Sequence, residues 1–219
     1  MPSKSFLLAE ELHKGVPPNW YHQSLRVDPF QKIWHRRRFA EVGKLIERAD
    51  KILDIGCADG MFSKVILDKS DGKELIGLDV LKTSVAWANH HWKHTGKMKF
   101  LVGDAHDLKK FKSASFDAVF ALEVLEHVEN PLKVLTETKR VLKKGGYGVF
   151  LVPSDSFLFR TIWFFWLHFY PRGWVWRDTH IQTYRNNYLP KVCKKAGFVI
   201  ERDRKFNLGM LHVVKVRKA

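Results

Sequence analysis

The sequence predicts an α/β protein with a mostly parallel sheet that has helices on both faces. Short β-branched apolar runs alternate with helix-length amphipathic segments, a pattern typical of βαβ units. The 219 residues fit a single domain with a full core. Within 1–219 the expected organisation is a helical cap at 1–49, a central core at 50–153, an aromatic insertion at 154–183, and a terminal helix and hairpin at 184–219.

The first strand leads into a tight turn and a helix at 51–63, with the sequence KILDIGCADGMFS. Gly56 and Gly60 can adopt positive φ angles and let the backbone approach a ligand closely. The helix that follows offers unpaired N–H groups to the negative end of a ligand. The Gly56-x-x-x-Gly60 spacing fits neither the dinucleotide fingerprint nor the phosphate loop. The turn therefore indicates a different nucleoside-like ligand.

The second and third strands are predicted at 75–80 and 100–108, and each closes in a carboxylate, Asp79 and Asp104. A carboxylate at the end of a strand can accept hydrogen bonds from both hydroxyls of a ribose. The same residue type is also a common helix N-cap. Both roles stay open for Asp79 at this point.

The turn resembles the first motif of the class I S-adenosylmethionine (SAM) methyltransferases, which is an acidic residue, a spacer and three alternating glycines. Asp54, Gly56 and Gly60 match this motif, and Ala58 stands in place of the middle glycine with one extra methyl group. The resemblance implies that SAM is the cofactor and that these four residues surround it. Asp54 has an alternative role, which is to hold the turn together.

The resemblance continues at 115–131, the fourth strand with the turn after it, and at 140–154, a helix end, a Gly-Gly break and the fifth strand, and so covers roughly 50–153. It implies a Rossmann-like sheet of seven strands, the last of them antiparallel. It also implies that Asp104 accepts a hydrogen bond from the adenine amino group. The backbone N–H of Ala105 then faces a ring nitrogen.

A finer resemblance lies in the sequence LEVLEHVENP at 122–131. It is similar to the ubiquinone-biosynthesis O-methyltransferases and equally to the type 11 small-molecule methyltransferases. It implies a small or lipid-like acceptor, methylated on oxygen. The Asn/Asp-Pro-Pro-Tyr/Phe motif of enzymes that methylate base amines does not occur here. Two alternatives stay open: an RNA methyltransferase that uses the basic surface, and a non-catalytic SAM-fold protein that binds a membrane or a partner.

Candidate catalytic residues follow the fourth strand. A hydroxyl acceptor needs a base near neutral pH, and His127 is the first candidate, with Glu123 or Glu126 to orient it. His180, after the aromatic insertion, is the second. Glu123, Glu126 and His127 could also gather a divalent cation, as the resemblance to the quinone enzymes permits. A purely local structural role is the alternative, so the metal requirement stays unassigned.

The segment at 19–39 carries several basic residues before the first strand. In related enzymes an N-terminal helix covers the cofactor, and an arginine can bind the methionine carboxylate. Arg38, with Arg37 as second choice, is the candidate, because a guanidinium matches a carboxylate in geometry and charge. A solvated helix face is the alternative.

The aromatic segment at 157–176 holds ten aromatic residues in twenty. Its apolar face is too wide for an ordinary surface helix, and the segment is too short to span a bilayer. Three interpretations stay open: a lid that closes over the acceptor, an interfacial helix on an anionic membrane, and a dimer contact.

The net charge is +15, which favours an anionic partner. The basic residues are dispersed along the chain, and this disfavours nucleic acid as the partner. The two cysteines lack metal-like spacing and suit a reducing compartment. No signal peptide and no spanning segment is expected. The expected localisation is cytoplasmic, with peripheral membrane association as an option.

Overall fold

The computed structural model describes residues 4–170, 173–176 and 179–219. The strands are β1 Lys51–Ile55, β2 Glu74–Asp79, β3 Met98–Val102, β4 Phe116–Leu122, β5 Leu142–Pro153, β6 Val199–Phe206 and β7 Leu211–Arg217. They form one sheet in the order β3-β2-β1-β4-β5-β7-β6. β7 is antiparallel to both of its neighbours, and the remaining adjacent pairs are parallel. This confirms the α/β class and the seven-stranded, mostly parallel sheet.

Eight α-helices accompany the sheet in the described part of the chain. They are α1 Lys4–His13, α2 Trp20–Val27, α3 Pro29–Gly43, α4 Met61–Lys69, α5 Lys82–His91, α6 Pro131–Val141, α7 Phe157–Phe169 and α8 Tyr188–Lys195. Side-chain oxygens of Asp28, Asn130 and Ser156 accept backbone hydrogen bonds at the starts of α3, α6 and α7. These caps explain why the three helices begin where they do.

The core has two layers because neighbouring strand residues point to opposite faces of the sheet. Ile52 and Phe120 pack in one layer with α3 and α4, and Leu53 and Val119 pack in the other with α6 and α8. All four side chains are fully buried. Both faces of the central strands are therefore covered, as expected for a parallel sheet.

The cap and the aromatic insertion surround the end of the sheet at which β1, β2 and β4 finish. The cap comprises α1, α2 and α3, and α7 is the helix of the insertion. The sequence Pro171-Arg-Gly173 predicts the end of this helix, and the first two of these residues lie outside the described ones. Within the described residues, all helices are too short or too polar to traverse a lipid bilayer.

Candidate active site

The turn after β1 adopts the conformation that its small residues predict. Gly56, Ala58 and Gly60 have φ angles of 71°, 46° and 77°. A Cβ on Gly56 would lie 2.3 Å from Cγ2 of Val124, and one on Gly60 would lie 2.7 Å from Trp92. The two glycines therefore admit neighbouring side chains, a role that the sequence analysis had assigned only to a ligand.

Asp54 and Asp79 organise this turn. Asp54 is buried and accepts a hydrogen bond from Oγ of Ser63 at 2.6 Å, and burial raises the pKa of its carboxyl to about 7. Asp79 accepts from the backbone N–H groups of Ala58 and Leu81, each at 2.9 Å, and burial raises its pKa as well. Asp54 therefore ties the end of β1 to Ser63 in α4, in line with its alternative role of holding the turn together. Asp79 holds the backbone at Ala58 and Leu81, but it is not the N-cap of α5, which is Leu81 without a side-chain cap.

A cavity of about 900 Å³, here called the strand-end cavity, lies at the carboxyl ends of the strands. Its polar wall includes Asp79 and Asp104, and the N-terminal cap covers it through α1 and α2. Among the predicted cofactor residues, its lining contains Gly56, Ala58, Asp79, Asp104 and Ala105.

A second cavity of about 810 Å³, here called the aromatic cavity, lies between α3 and α7. In α7 the rings of Phe159 and Trp163 stack at 5.6 Å, and those of Trp163 and Trp166 stack at 4.9 Å. These rings form the cavity wall. The Tyr170 hydroxyl donates to Asp28 at the start of α3 and so ties the two helices together.

The two cavities meet at a shared set of side chains. Both linings contain Trp20, Tyr21, Glu123, His127 and Trp176. The predicted catalytic residues Glu123 and His127 therefore lie at the junction of the cavities, and His180 lies in the aromatic cavity.

His127 has a defined tautomer. Its Nδ1 lies 2.7 Å from the carbonyl oxygen of Thr179, which can only accept, so Nδ1 carries the proton and Nε2 keeps its lone pair. Burial holds the pKa of His127 well below the ordinary value, and His13 and His180 lower it further. The imidazole is consequently neutral near pH 7 and can accept a proton at Nε2.

Two further histidines surround His127. The ring of His180 lies 5.0 Å from it, and burial lowers the pKa of His180 to about 4. The ring of His13, from α1, lies 4.6 Å away. No motif in the sequence marks His13, and only the folding of the cap brings it to the junction.

Glu123 is positioned differently from the expectation that it orients His127. Its Oε2 forms an ion pair with Nη1 of Arg38 at 2.7 Å. The ligand atoms that lie within 4.8 Å of one another are those of Glu126, His127 and His180. His180 thus takes the place that the sequence analysis gave to Glu123 in a candidate metal site.

Arg38 is 1% exposed and lines the aromatic cavity. Its Nη1 also contacts Nδ1 of His35 at 3.0 Å, and its guanidinium lies 4.6 Å from the centre of the Phe62 ring. Among the described residues, Nε and Nη2 of Arg38 have no hydrogen-bond partner. Arg37, the second choice, is exposed. An unpartnered, buried pair of donors on one edge of a guanidinium fits a carboxylate.

Comparisons with known proteins agree with this fold. A family model described as a methyltransferase domain, of type 11, matches residues 53–150. The ubiquinone biosynthesis O-methyltransferase of Dechloromonas aromatica is 31% identical over 70% of this chain and 65% of its own length. The enzyme of the same name from Aliivibrio fischeri is 32% identical over 51% of this chain and 49% of its own length. The chain thus spans between about half and two thirds of these relatives.

Solved structures show the same fold. A SAM-dependent methyltransferase from Mesorhizobium loti superposes with a TM-score of 0.64 at 18% identity, over 83% of this chain and 96% of its own. The methyltransferase in a complex with the Haloferax volcanii activator Trm112 superposes with a TM-score of 0.71 at 16% sequence identity. The superposition covers 99% of this chain and 98% of that one.

Residues 53–150 match the type 11 methyltransferase domain, and the fold is that of solved SAM-dependent methyltransferases, whose cofactor is SAM. The residues present fit this cofactor, because the strand-end cavity is lined by the turn after β1 and by the carboxylates of Asp79 and Asp104, which can accept hydrogen bonds from a nucleoside.

Proposed function

We propose that this protein transfers a methyl group from SAM to an oxygen atom of a small or lipophilic aromatic acceptor. The observation that carries the proposal is the meeting of the strand-end and aromatic cavities at His127. One cavity is lined by the glycine turn and by the carboxylates of Asp79 and Asp104, as a nucleoside site requires, and the other has aromatic walls on α7. A group that passes from one ligand to the other has to cross at their junction.

The cofactor residues act as follows in this proposal. Asp79 binds the ribose hydroxyls, and Asp104 with the N–H of Ala105 binds the adenine. The unpartnered edge of Arg38, whose ion-pair partner Glu123 lies at the junction of the two cavities, binds the methionine carboxylate where SAM reaches that junction, with Tyr21 and the turn after β1 around the sulfonium end. Support for the Arg38 assignment comes from its paired, buried donors.

Bound SAM supplies an electrophilic methyl group on a sulfonium. The protein then has three tasks: to align the acceptor oxygen, to exclude water and to remove the acceptor's proton. His127 Nε2 receives that proton, because Nδ1–H stays bound to Thr179 and Nε2, which lies 3.9 Å from Oε1 of Glu126, keeps its lone pair. The stacked rings of Trp163 and Trp166 hold a planar acceptor against the wall of the aromatic cavity.

An oxygen acceptor is favoured by two observations. The relatives that match this chain carry the name ubiquinone biosynthesis O-methyltransferase. His127 offers an unprotonated Nε2 where the two cavities meet, and a hydroxyl is an acceptor whose proton such a nitrogen can take.

The outer face of α7 supports binding to an anionic membrane surface. Phe157, Phe164, Phe165 and Phe169 are more than half exposed, and Arg160 lies among them. Such a face, on a chain with a net charge of +15, matches an interfacial helix next to anionic lipid. The inner face of the same helix lines the aromatic cavity, so the lid and interfacial interpretations are compatible.

The first experiment measures transfer of a labelled methyl group from SAM to catechols with and without a long alkyl tail. We expect methylated catechol, a higher kcat/KM for the tailed compound, and a loss of turnover in His127→Phe. Labelling of RNA but of no catechol would contradict the proposal and favour the RNA methyltransferase alternative.

The second experiment tests the membrane surface. Phe164→Ser with Phe165→Ser should abolish co-sedimentation with phosphatidylglycerol vesicles and leave SAM binding unchanged. Trp163→Ser is the matched control, because its side chain faces inward and the variant should still sediment with the vesicles. Absence of wild-type binding in low salt would contradict this part of the proposal.

A further inference from the structure

The carboxylate of Asp104, at the end of β3, is held by a histidine two residues further on. His106 is 6% exposed and lines the strand-end cavity. Its ring Nδ1 and its backbone N–H both lie 2.8 Å from Oδ1 of Asp104. One carboxylate oxygen therefore receives two hydrogen bonds from a single residue.

The other ring nitrogen of His106 identifies its tautomer. The backbone N–H of Asn130 lies 3.3 Å from Nε2 of His106. A backbone N–H can only donate, so Nε2 accepts, and the proton of the neutral ring resides on Nδ1. His106 consequently donates to the Asp104 carboxylate, and such a charge-assisted bond is stronger than one between neutral groups.

The contact with Asn130 connects two separate elements. Asn130 is the N-cap of α6, where its side chain accepts from the backbone N–H of Lys133 at 3.0 Å. Asn130 also ends the loop that carries His127. The ring of His106 thus spans from the end of β3 to the start of α6, and its orientation is fixed from both sides.

We propose that His106 is a positioning residue for adenine recognition. By holding one oxygen of Asp104, it fixes the plane of the carboxylate and directs it at the exocyclic amino group of the adenine. This inference rests on the adenine role of Asp104 in the proposed function.

The proposal has a specific chemical consequence. A carboxylate only accepts hydrogen bonds, so a fixed carboxylate binds the amino group of adenine and repels the carbonyl oxygen that hypoxanthine carries at the same position. A carboxylate that can rotate away loses this discrimination. Loss of His106 should therefore affect the choice between the two bases more than it affects binding as such.

The two hydrogen bonds of the ring can be removed separately. In His106→Asn the amide occupies the region of Nδ1 and keeps a donor for Asp104. In His106→Gln the amide reaches the region of Nε2 and keeps an acceptor for Asn130. The experiment is calorimetric titration of each variant and of the wild-type protein with S-adenosylhomocysteine (SAH) and with S-inosylhomocysteine.

The wild-type protein and His106→Asn should prefer SAH by about tenfold or more, the factor that corresponds to one charge-assisted hydrogen bond. His106→Gln should reduce this preference to about threefold or less and leave the affinity for S-inosylhomocysteine unchanged. Thermal unfolding without ligand serves as the control for folding.

Undiminished discrimination in His106→Gln would overturn the inference, and so would equal loss in both variants. Failure of the wild-type protein to bind SAH has a different meaning. It would overturn the proposed function, and this inference with it.

Discussion

The strand-end cavity and the aromatic cavity are built in different ways. The first is formed by strand ends and by a turn whose backbone N–H groups and carboxylates hold one another, as between Ala58 and Asp79. The second is formed largely by aromatic side chains on α3 and α7, and those of α7 lie outside the two core layers. The cofactor half of the site is thus part of the sheet, whereas the acceptor half is attached to it.

Because of this difference, we expect substitutions in the acceptor half to leave the structure of the cofactor half unchanged. A change of side chain in α7 alters the acceptor wall without touching the sheet, whereas a change in the turn after β1 affects packing. Gly56 shows the latter, because a Cβ there would overlap the side chain of Val124. Where the halves meet, His127 belongs to both cavities.

The largest expected effect comes from the junction. His127→Phe should lower kcat by about 10²–10⁴, the usual contribution of a general base, and leave the affinity for SAH nearly unchanged. Steady-state kinetics together with calorimetry would check this. His180→Phe is the matched control and should retain most of kcat, and equal losses in both variants would contradict the assignment of His127 as the base.

The next effect concerns stability at low pH. Burial lowers the pKa of His180 from 6.5 to about 4, so between these values the unfolded chain binds a proton that the folded protein does not. The free energy of unfolding should therefore decrease as the pH falls from 6.5 to 4, by about 3 kcal/mol for this residue.

Denaturant titrations across this range, on the wild-type protein and on His180→Asn, would measure the contribution of His180. The variant should show a flatter pH dependence. Parallel curves for the two proteins would show that His180 does not contribute to it.

A smaller effect is expected in the aromatic wall. Trp163→Ser removes a ring that stacks on Trp166 and His180, and it should raise KM for the acceptor about tenfold. The SAH affinity should stay the same, because Trp163 lines only the aromatic cavity among the two described. A matching loss of SAH affinity would show that the two halves are not independent.

The two halves also differ in how far the sequence predicts them. The strands, the turn at 51–63 and the positions of the carboxylates Asp79 and Asp104 can be predicted from the sequence, because a short run of neighbouring residues determines each of them. The partners of Arg38 and Glu123 could not be predicted. Their ion pair depends on the packing of α3 against the end of β4, which no local pattern encodes.

The histidine cluster has the same origin. His127 was a candidate from its motif, but its neighbour His13 arrives from α1, far away in the sequence. Likewise, the helical period identifies a wide aromatic face in α7 without telling which rings turn inward. The structure shows that Trp163 and Trp166 do so, whereas Phe164 and Phe165 are exposed.

The division into a cofactor half and an acceptor half is tested most directly by titrating SAH into Asp79→Ala in a calorimeter. We expect the affinity to fall about a hundredfold, because the ribose loses a charged hydrogen-bond partner and the turn loses its anchor at Ala58. Asp107→Ala, the same change at a nearby exposed carboxylate, should bind like the wild-type protein. Unchanged affinity in Asp79→Ala would contradict the placement of SAM in the strand-end cavity.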